Sequence, residues 1–541
     1  MPASSPPTLG LGFEFEWWEA ALYDDLEDKD YPFKGKRAFE KTGTNTTDSV
    51  RKINTKCEHG EILTGNYDEN NPAPDCWNPN EGRMPSKDVV DRMLGKLRVT
   101  VQDALVLEKR ELVSALSVEH PKVDNLVDGV SSAFTKYTAH RDEGRERNLA
   151  DNPKTWRKDT HVFEQVFYFV ALELRTRVYT EANKEDHGNE MRDELKRILD
   201  AIPRKHNVSV NAGNAATYRL PDQSVKSGEA RAGMHIHVSA TGVFDTETQG
   251  RTNKVGIMEK RILASKKLLT LYWLIEPNIS KLHASWRSAD PRYAGLLRRH
   301  SNLAFLNLTK NPKDNDNCEH WGQHDEEEKL RKEGRYFYDE AKFEAQGKLY
   351  LKDLDSEAQQ MYTAVMEQVS RSGGSDYERN MSAIDRIWMC KNMDQLVWLC
   401  SSRFGNRRAA LSLNQLLPSD SKYQGGGVRK ADQRLGTVEF RAMQGSFNYE
   451  AVIAWSDVVM RITEVCVTQS TSVFTDTVER LLQAPKPGGD PVKTFIERLD
   501  FPKEHRAYKF YNDRLQKEVF DKEANPRSGK SPTLNVFVER K

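Results

Sequence analysis

Three short stretches of this chain set two chemically capable side chains two residues apart, with an apolar residue between them. They are Glu14/Glu16 around Phe15, His235/His237 around Ile236, and Glu439/Arg441 around Phe440. A spacing of two places both side chains on one face of a pleated strand and turns the intervening residue to the other. Charges and imidazoles gathered on one half-buried face are costly unless they are paired or bound to cations. Carboxylates with an imidazole suit Mg²⁺ or Mn²⁺, and two such ions can bridge a transferring phosphoryl group. Arg441 would add a planar fork for phosphate or carboxylate oxygens. Each pair alone has a plainer reading, as a solvated strand face or as hydrogen-bonded structural histidines. Glu-x-Arg is the weakest signal, because Glu108-Lys-Arg110 and Glu173-Leu-Arg175 share its spacing. The occurrence of all three on strand-like segments points to a phosphoryl-transfer site.

The elements that must carry these pairs are legible as patterns. Leu11-Gly-Phe-Glu-Phe-Glu-Trp-Trp18, Gly233-Met-His-Ile-His-Val-Ser239 and Gly436-Thr-Val-Glu-Phe-Arg441 alternate as strands do. Glu111-Leu-Val-Ser-Ala-Leu116 is a further candidate strand. Helical spacing predicts helices over Lys87–Leu97, Val162–Val170, about Gly256–Leu282, Ser356–Ser370, Asp376–Cys400 and Tyr449–Gln469. Polar stretches rich in Asn, Asp, Pro and charge read as insertions at about 24–86, 139–160 and 311–335. The expected organisation is a flexible start (1–10), one catalytic domain (11–500) and a C-terminal tail (501–541).

Taken in order, Gly12-Phe-Glu-Phe-Glu16, Gly233-Met-His-Ile-His-Val-Ser239 and Gly436-Thr-Val-Glu-Phe-Arg441 give the chain a marked resemblance to the amidoligase family. These are carboxylate-amine ligases distantly related to glutamine synthetase. Glu276-Pro-Asn with His283 and Arg287, and Arg408 with Leu413-Asn-Gln415, are similar to the family's linking segments. The resemblance implies an α+β fold: a curved antiparallel sheet of glutamine-synthetase-like type, with helices packed on its back and polar insertions. It implies ATP and Mg²⁺ (or Mn²⁺) as cofactors and an amide bond formed through an acyl phosphate. Glu14, Glu16 and Glu439 would hold the cations, and His235 or His237 would ligate a cation or contact phosphate. Arg441 would stabilise the transferred group and bind nucleotide together with Arg408, and Arg287 would join the catalytic set. Glu111 enters the metal set because Glu111-Leu-Val-Ser matches the start of the family's Glu-Leu-Val-Ser-Pro stretch. The substrates would be a small-molecule or peptide carboxylate and an amine, and relatives of glutamine synthetase often assemble into oligomers.

Bulk composition agrees with such an enzyme and excludes other classes. Lys+Arg and Asp+Glu both number 81 in 541 residues, so no net charge draws the whole molecule to nucleic acid or an anionic membrane. The most apolar stretch, about 268–275, falls far short of the ~20 residues of a bilayer span. Six scattered cysteines and no secretory pattern at Met1–Gly10 fit a reducing, cytoplasmic setting. No P-loop or Rossmann motif occurs. Cys57/His59, Cys76 and Cys318/His320/His324 lack paired Cys-x-x-Cys spacing and read as scattered surface residues. Gln424-Gly-Gly-Gly427 reads as a flexible turn. Two rivals remain: a zinc hydrolase using His235 and His237 with His283 or Glu276, and an inactive scaffold on the same fold.

Overall fold

The computed structural model describes residues 8–22, 38–40, 52–56, 62–63, 87–106, 109, 126–127, 130–131, 136–141, 167–206, 208–209, 232–244, 254–283, 295–306, 347–373, 376–401, 409–418, 420–421, 423, 436–468, 470–483 and 488–513. Among these, seven strands form one open, antiparallel sheet: β1 (Leu9–Leu22), β2 (Thr138–Arg141), β3 (Phe167–Arg175), β4 (Val208–Ser209), β5 (Met234–Ala240), β6 (Leu411–Ser412) and β7 (Val438–Phe440). Their order is β6-β7-β5-β1-β3-β2, with β4 pairing onto the far end of β1. The mixture of helices with an antiparallel sheet makes the fold α+β.

Alternation explains β1. Leu9, Leu11, Phe13, Phe15 and Trp17 are all buried on one face, while Gly10, Gly12, Glu14 and Glu16 take the other. Gly10 has a steric reason to be glycine, since a Cβ there would stand 2.5 Å from Ser239 Oγ on the neighbouring strand. Helices close the apolar face. α3 (Lys254–Ile279) buries Leu268, Leu271, Tyr272 and Ile275, and its Tyr272 ring meets Phe440 of β7 at 6.2 Å. α9 (Tyr449–Val467) is buried along most of its length and carries Trp455 against His283. α1 (Lys87–Ala104) packs against α2 (Glu185–Lys205) and β2. Helices that are apolar nearly all round belong in the interior, and α3 and α9 fit that rule.

Several expectations change, among them the single helix expected over Asp376–Cys400, which is two, Tyr377–Trp388 and Met393–Cys400. Phe167–Val170, expected to close a helix, belongs to strand β3, which pairs with β1 from Phe167 opposite Leu22 to Arg175 opposite Glu14. Short apolar runs do not separate the two periods; the aromatic and β-branched content, and the unpaired edge of β1, decide for strand. Residues 139–141, placed in an insertion, are strand β2 on the outer edge of β3. The stretch beyond 500 contributes α12 (Arg506–Asn512), whose Arg506 makes a two-point pair with Asp457 of α9 at 2.6 and 2.9 Å. The candidate strand at 111–116 and most of the three expected insertions lie outside the described residues.

Glu276, near the end of α3, ties this helix to α4 (Leu297–His300): its two carboxylate oxygens accept the Leu297 and Arg298 amides at 2.6 and 2.7 Å. Burial pushes its carboxyl from 4.5 up to about 7, against the pull of those amides and of Arg298. Between these pH values the folded chain holds a proton that the unfolded chain has released. The stability this group contributes is therefore full below about pH 4.5 and is lost as pH rises toward 7. Relative to Glu276→Gln, the wild type should lose on the order of 3 kcal/mol of unfolding free energy between pH 4.5 and 7.5. Urea denaturation of both chains across that range checks this, and a pH-independent difference would contradict it.

Candidate metal centre

Sheet register assembles the site on the face opposite the helices. Glu14 stands opposite His235 on one side and Arg175 on the other; Glu16 stands opposite Glu173; His237 lies between Gly12 and Glu439. Glu439 in turn faces Ser412 of β6. One face of β7, β5, β1 and β3 therefore presents a continuous field of carboxylates, imidazoles and guanidiniums. Arg441 follows directly after β7, its backbone amide donating to Ala410 O at 2.8 Å.

The sequence-predicted pairs converge. Glu14 Oε1 is 3.3 Å from His237 Nε2, and Glu14 Oε2 is 3.2 Å from His235 Nδ1. His235 Nδ1 also lies 3.6 Å from Glu439 Oε1 and 3.3 Å from Arg441 Nη1, so the ring is flanked by acceptors and a donor. Arg441 Nη1 donates to Glu439 Oε1. Glu16 Oε2 accepts the Gly233 amide at 2.7 Å, which pins β1 to the start of β5, and its Oε1 is 3.8 Å from His235 Nε2. Arg287, Arg408 and Glu111 lie outside the described residues.

Sequence reasoning passed over one further pair. Glu173 and Arg175 of β3 sit beside Glu14 and are both buried, with Arg175 Nε donating to Glu173 Oε1 at 2.6 Å and lying 3.1 Å from Glu14 Oε1. Their Glu-x-Arg spacing matched that of Glu439/Arg441 and served as the example of a common background match. The signal that could have promoted it is the alternation of Leu172 and Leu174, both buried, with Glu173 and Arg175. This is the pattern of the other site strands.

Electrostatics follow from this packing. Burial pushes the Glu14 carboxyl up, but the Arg175 guanidinium, followed by His237 and His235, outweighs it and holds Glu14 well below the usual carboxylate range. Burial opposes the charge on Arg175 and on Arg441 too. Glu173 and Glu14 override it at Arg175, and Glu439 and Glu16 at Arg441, so both guanidinium values rise. Four carboxylates (Glu14, Glu16, Glu173, Glu439) and two guanidiniums (Arg175, Arg441) share this face with the two imidazoles.

A cation fits the donor set. Glu14, His237 and Glu439 each offer one ligand atom, all within 4.8 Å of one another, and all three residues are buried. His237 Nδ1 lies 3.2 Å from Thr437 Oγ1. Its buried Nε2 makes no hydrogen bond, though it stands 3.3 Å from Glu14 Oε1. With Nδ1–H donating to Thr437, the Nε2 lone pair would face a carboxylate oxygen, an arrangement that a shared cation relieves. Of the two imidazoles expected to ligate a cation or contact phosphate, the trio includes His237.

No family model, curated protein or solved structure matches the chain. The geometry must carry the functional reading unaided.

The two residues named for the hydrolase alternative are engaged elsewhere. Glu276 spends both oxygens on the start of α4, and His283 packs edge-on against Trp455, ring centroids 4.4 Å apart, on the helical side of the sheet.

Arg175 pairs with two buried carboxylates, so Arg175→Met in EDTA should lower the unfolding free energy by about 3–5 kcal/mol, the cost of breaking a buried ion pair from one side. Arg175→Lys should recover part of it. Urea denaturation measures both, and an unchanged midpoint for Arg175→Met would show that Glu14 and Glu173 do not depend on this partner.

Proposed function

We propose that the chain is an ATP- and Mg²⁺-dependent ligase, with Mn²⁺ able to replace Mg²⁺, that joins a carboxylate to an amine on a glutamine-synthetase-like sheet. The observation that carries this reading is the convergence of Glu14, Glu16, Glu173, Glu439, His235, His237 and Arg441 on one face of four adjacent strands. A hydrolase built on the two histidines uses only part of that field and lacks its further ligands; the ligase reading uses all of it.

Glu14, His237 and Glu439 would hold the resident divalent ion, which supplies charge neutralisation and a template for phosphate oxygens. The chain's own groups do the rest. Arg441 is partly exposed and already aimed into the site by Glu439, so its guanidinium can stabilise charge developing on the transferred phosphoryl group. Glu16, fixed by the Gly233 amide, holds β1 and β5 in the register that keeps Glu14 against His237. The substrate carboxylate would attack the γ-phosphate of ATP to give an acyl phosphate and ADP, and the amine would then displace inorganic phosphate and form the amide. Dividing the condensation into two displacements lowers the barrier that a direct one would face. The carboxylate belongs to a small molecule or peptide, and the neutral overall charge favours neither nucleic acid nor membrane as a partner. Among the described residues no helix is long and apolar enough to cross a membrane.

Incubation with ATP, Mg²⁺ and pooled carboxylates and amines should release phosphate only when both pools are present. Arg441→Ala should reduce that rate by roughly 10²–10³, the scale for removing one preorganised electrostatic group, and Glu439→Gln should do at least as much. ATP-dependent ligation by Glu439→Gln at the wild-type rate would remove this face from the mechanism.

A further inference from the structure

Thr437 stands directly before β7, on the approach to Glu439. The chain enters it through Gly436, whose φ of +63° lies in the left-handed region that favours glycine and whose amide donates to Gln415 O at 3.1 Å. Two residues ahead of Glu439, Thr437 turns to the same face. Glu439 pairs with His237 across the strands, which makes Thr437 the diagonal neighbour of that imidazole, its Oγ1 3.2 Å from Nδ1. Both side chains are buried, and the branch at the threonine Cβ restricts the hydroxyl to few positions.

The two nitrogens of the His237 ring are unequally provided for. In a neutral imidazole one nitrogen carries the proton and the other a lone pair. Nε2 is buried and makes no hydrogen bond, although Glu14 Oε1 is 3.3 Å away. A proton on Nε2 would be a buried donor left out of any hydrogen bond, the costly arrangement, whereas a proton on Nδ1 has the Thr437 hydroxyl oxygen to accept it. His235 is placed differently. Its Nδ1 faces an acceptor, Glu14 Oε2 at 3.2 Å, and a donor, Arg441 Nη1 at 3.3 Å, and these two pull its tautomer in opposite directions.

We infer that Thr437 is a positioning residue for the cation site: its hydroxyl accepts the Nδ1–H of His237, holds the imidazole in that tautomer and so keeps the Nε2 lone pair for the divalent ion shared with Glu14 and Glu439. Thr437 itself touches no ion and no substrate in this role. It acts through the ring it orients. The inference rests on the metal-dependent reading of the site, and concerns what makes His237 rather than His235 the nitrogen ligand.

Histidine-selective nitrogen-15 labelling of the full chain, free of metal and in mildly alkaline buffer, reads the tautomer from the shifts of the two ring nitrogens. The His237 signals are identified by their absence from His237→Gln. The wild type should show a protonated Nδ1 and a bare Nε2. Thr437→Val, which keeps the shape and removes the oxygen, should move His237 toward the Nε2–H form. It should also weaken Mn²⁺ binding about 10- to 100-fold, the scale for removing the outer hydrogen-bond partner of a ligating imidazole. Thr437→Ser, which keeps the hydroxyl, should restore both. A wild-type His237 protonated on Nε2, an unchanged tautomer in Thr437→Val, or an Mn²⁺ affinity that does not fall in that variant would overturn the inference. The wild-type spectrum needs no variant at position 437, so the inference can fail even where Thr437→Val folds poorly. The two readings fail separately. An Nε2–H wild type that binds Mn²⁺ and ligates defeats only the inference. The expected tautomers and affinities, with no ligation under any condition, defeat only the ligase reading. A wild type that binds no Mn²⁺ defeats both.

Discussion

The burial of several carboxylates on one sheet face is the constraint to which the rest of the structure answers. Glu14, Glu173 and Glu439 are each less than a tenth exposed, and burying carboxylates in that way is tolerable only against matching positive charge. Arg175 and Arg441 supply part of the match from within the chain, at the two flanks of the field. On the proposed reading, a divalent ion held by Glu14, His237 and Glu439 supplies more of it.

Holding such a field in place is the work of the opposite face. Leu11, Phe13 and Phe15 on β1, Met234, Ile236 and Val238 on β5, and Phe440 on β7 alternate with the site residues and are buried, β5 against α9 and Phe440 against Tyr272 of α3. Each strand thus spends its apolar half on the core and its polar half on the site. A slip of one residue between β1 and β5 would turn Glu14 into the core and Phe13 toward the histidines, so apolar burial fixes the register on which the chemistry depends. Gly233 and Gly10 serve the same end. The first gives its amide to Glu16, and the second allows β1 to approach Ser239.

Much of this was legible in the residues. Strict alternation marked β1 and β5 and the short β7, and their polar faces named Glu14, Glu16, His235, His237, Glu439 and Arg441, which the fold does bring together. The long apolar helices α3 and α9 were equally plain. Less legible was β3, because its aromatic start fits either period and its decisive alternation spans only Leu172 to Arg175. With β3 misread, Glu173 and Arg175 were hidden, although their spacing was in view. The choice between His235 and His237 is also not a property of either residue. It depends on antiparallel register, which sets His237 beside Glu439 and places Thr437 behind its ring. The role of Glu276 likewise depends on α4 arriving at the end of α3, a meeting that spacing does not announce.

The central claim is that glutamates 14 and 439 and imidazole 237 form one cation site on the polar face of the sheet. Diffraction from crystals soaked in Mn²⁺, collected at a wavelength where manganese scatters anomalously, addresses it directly. The account predicts an anomalous peak at about 2.1–2.3 Å from Glu14, His237 and Glu439 oxygen and nitrogen atoms. A map in which these three side chains lie on separate surfaces, or in which manganese binds elsewhere and leaves them bare, would contradict it.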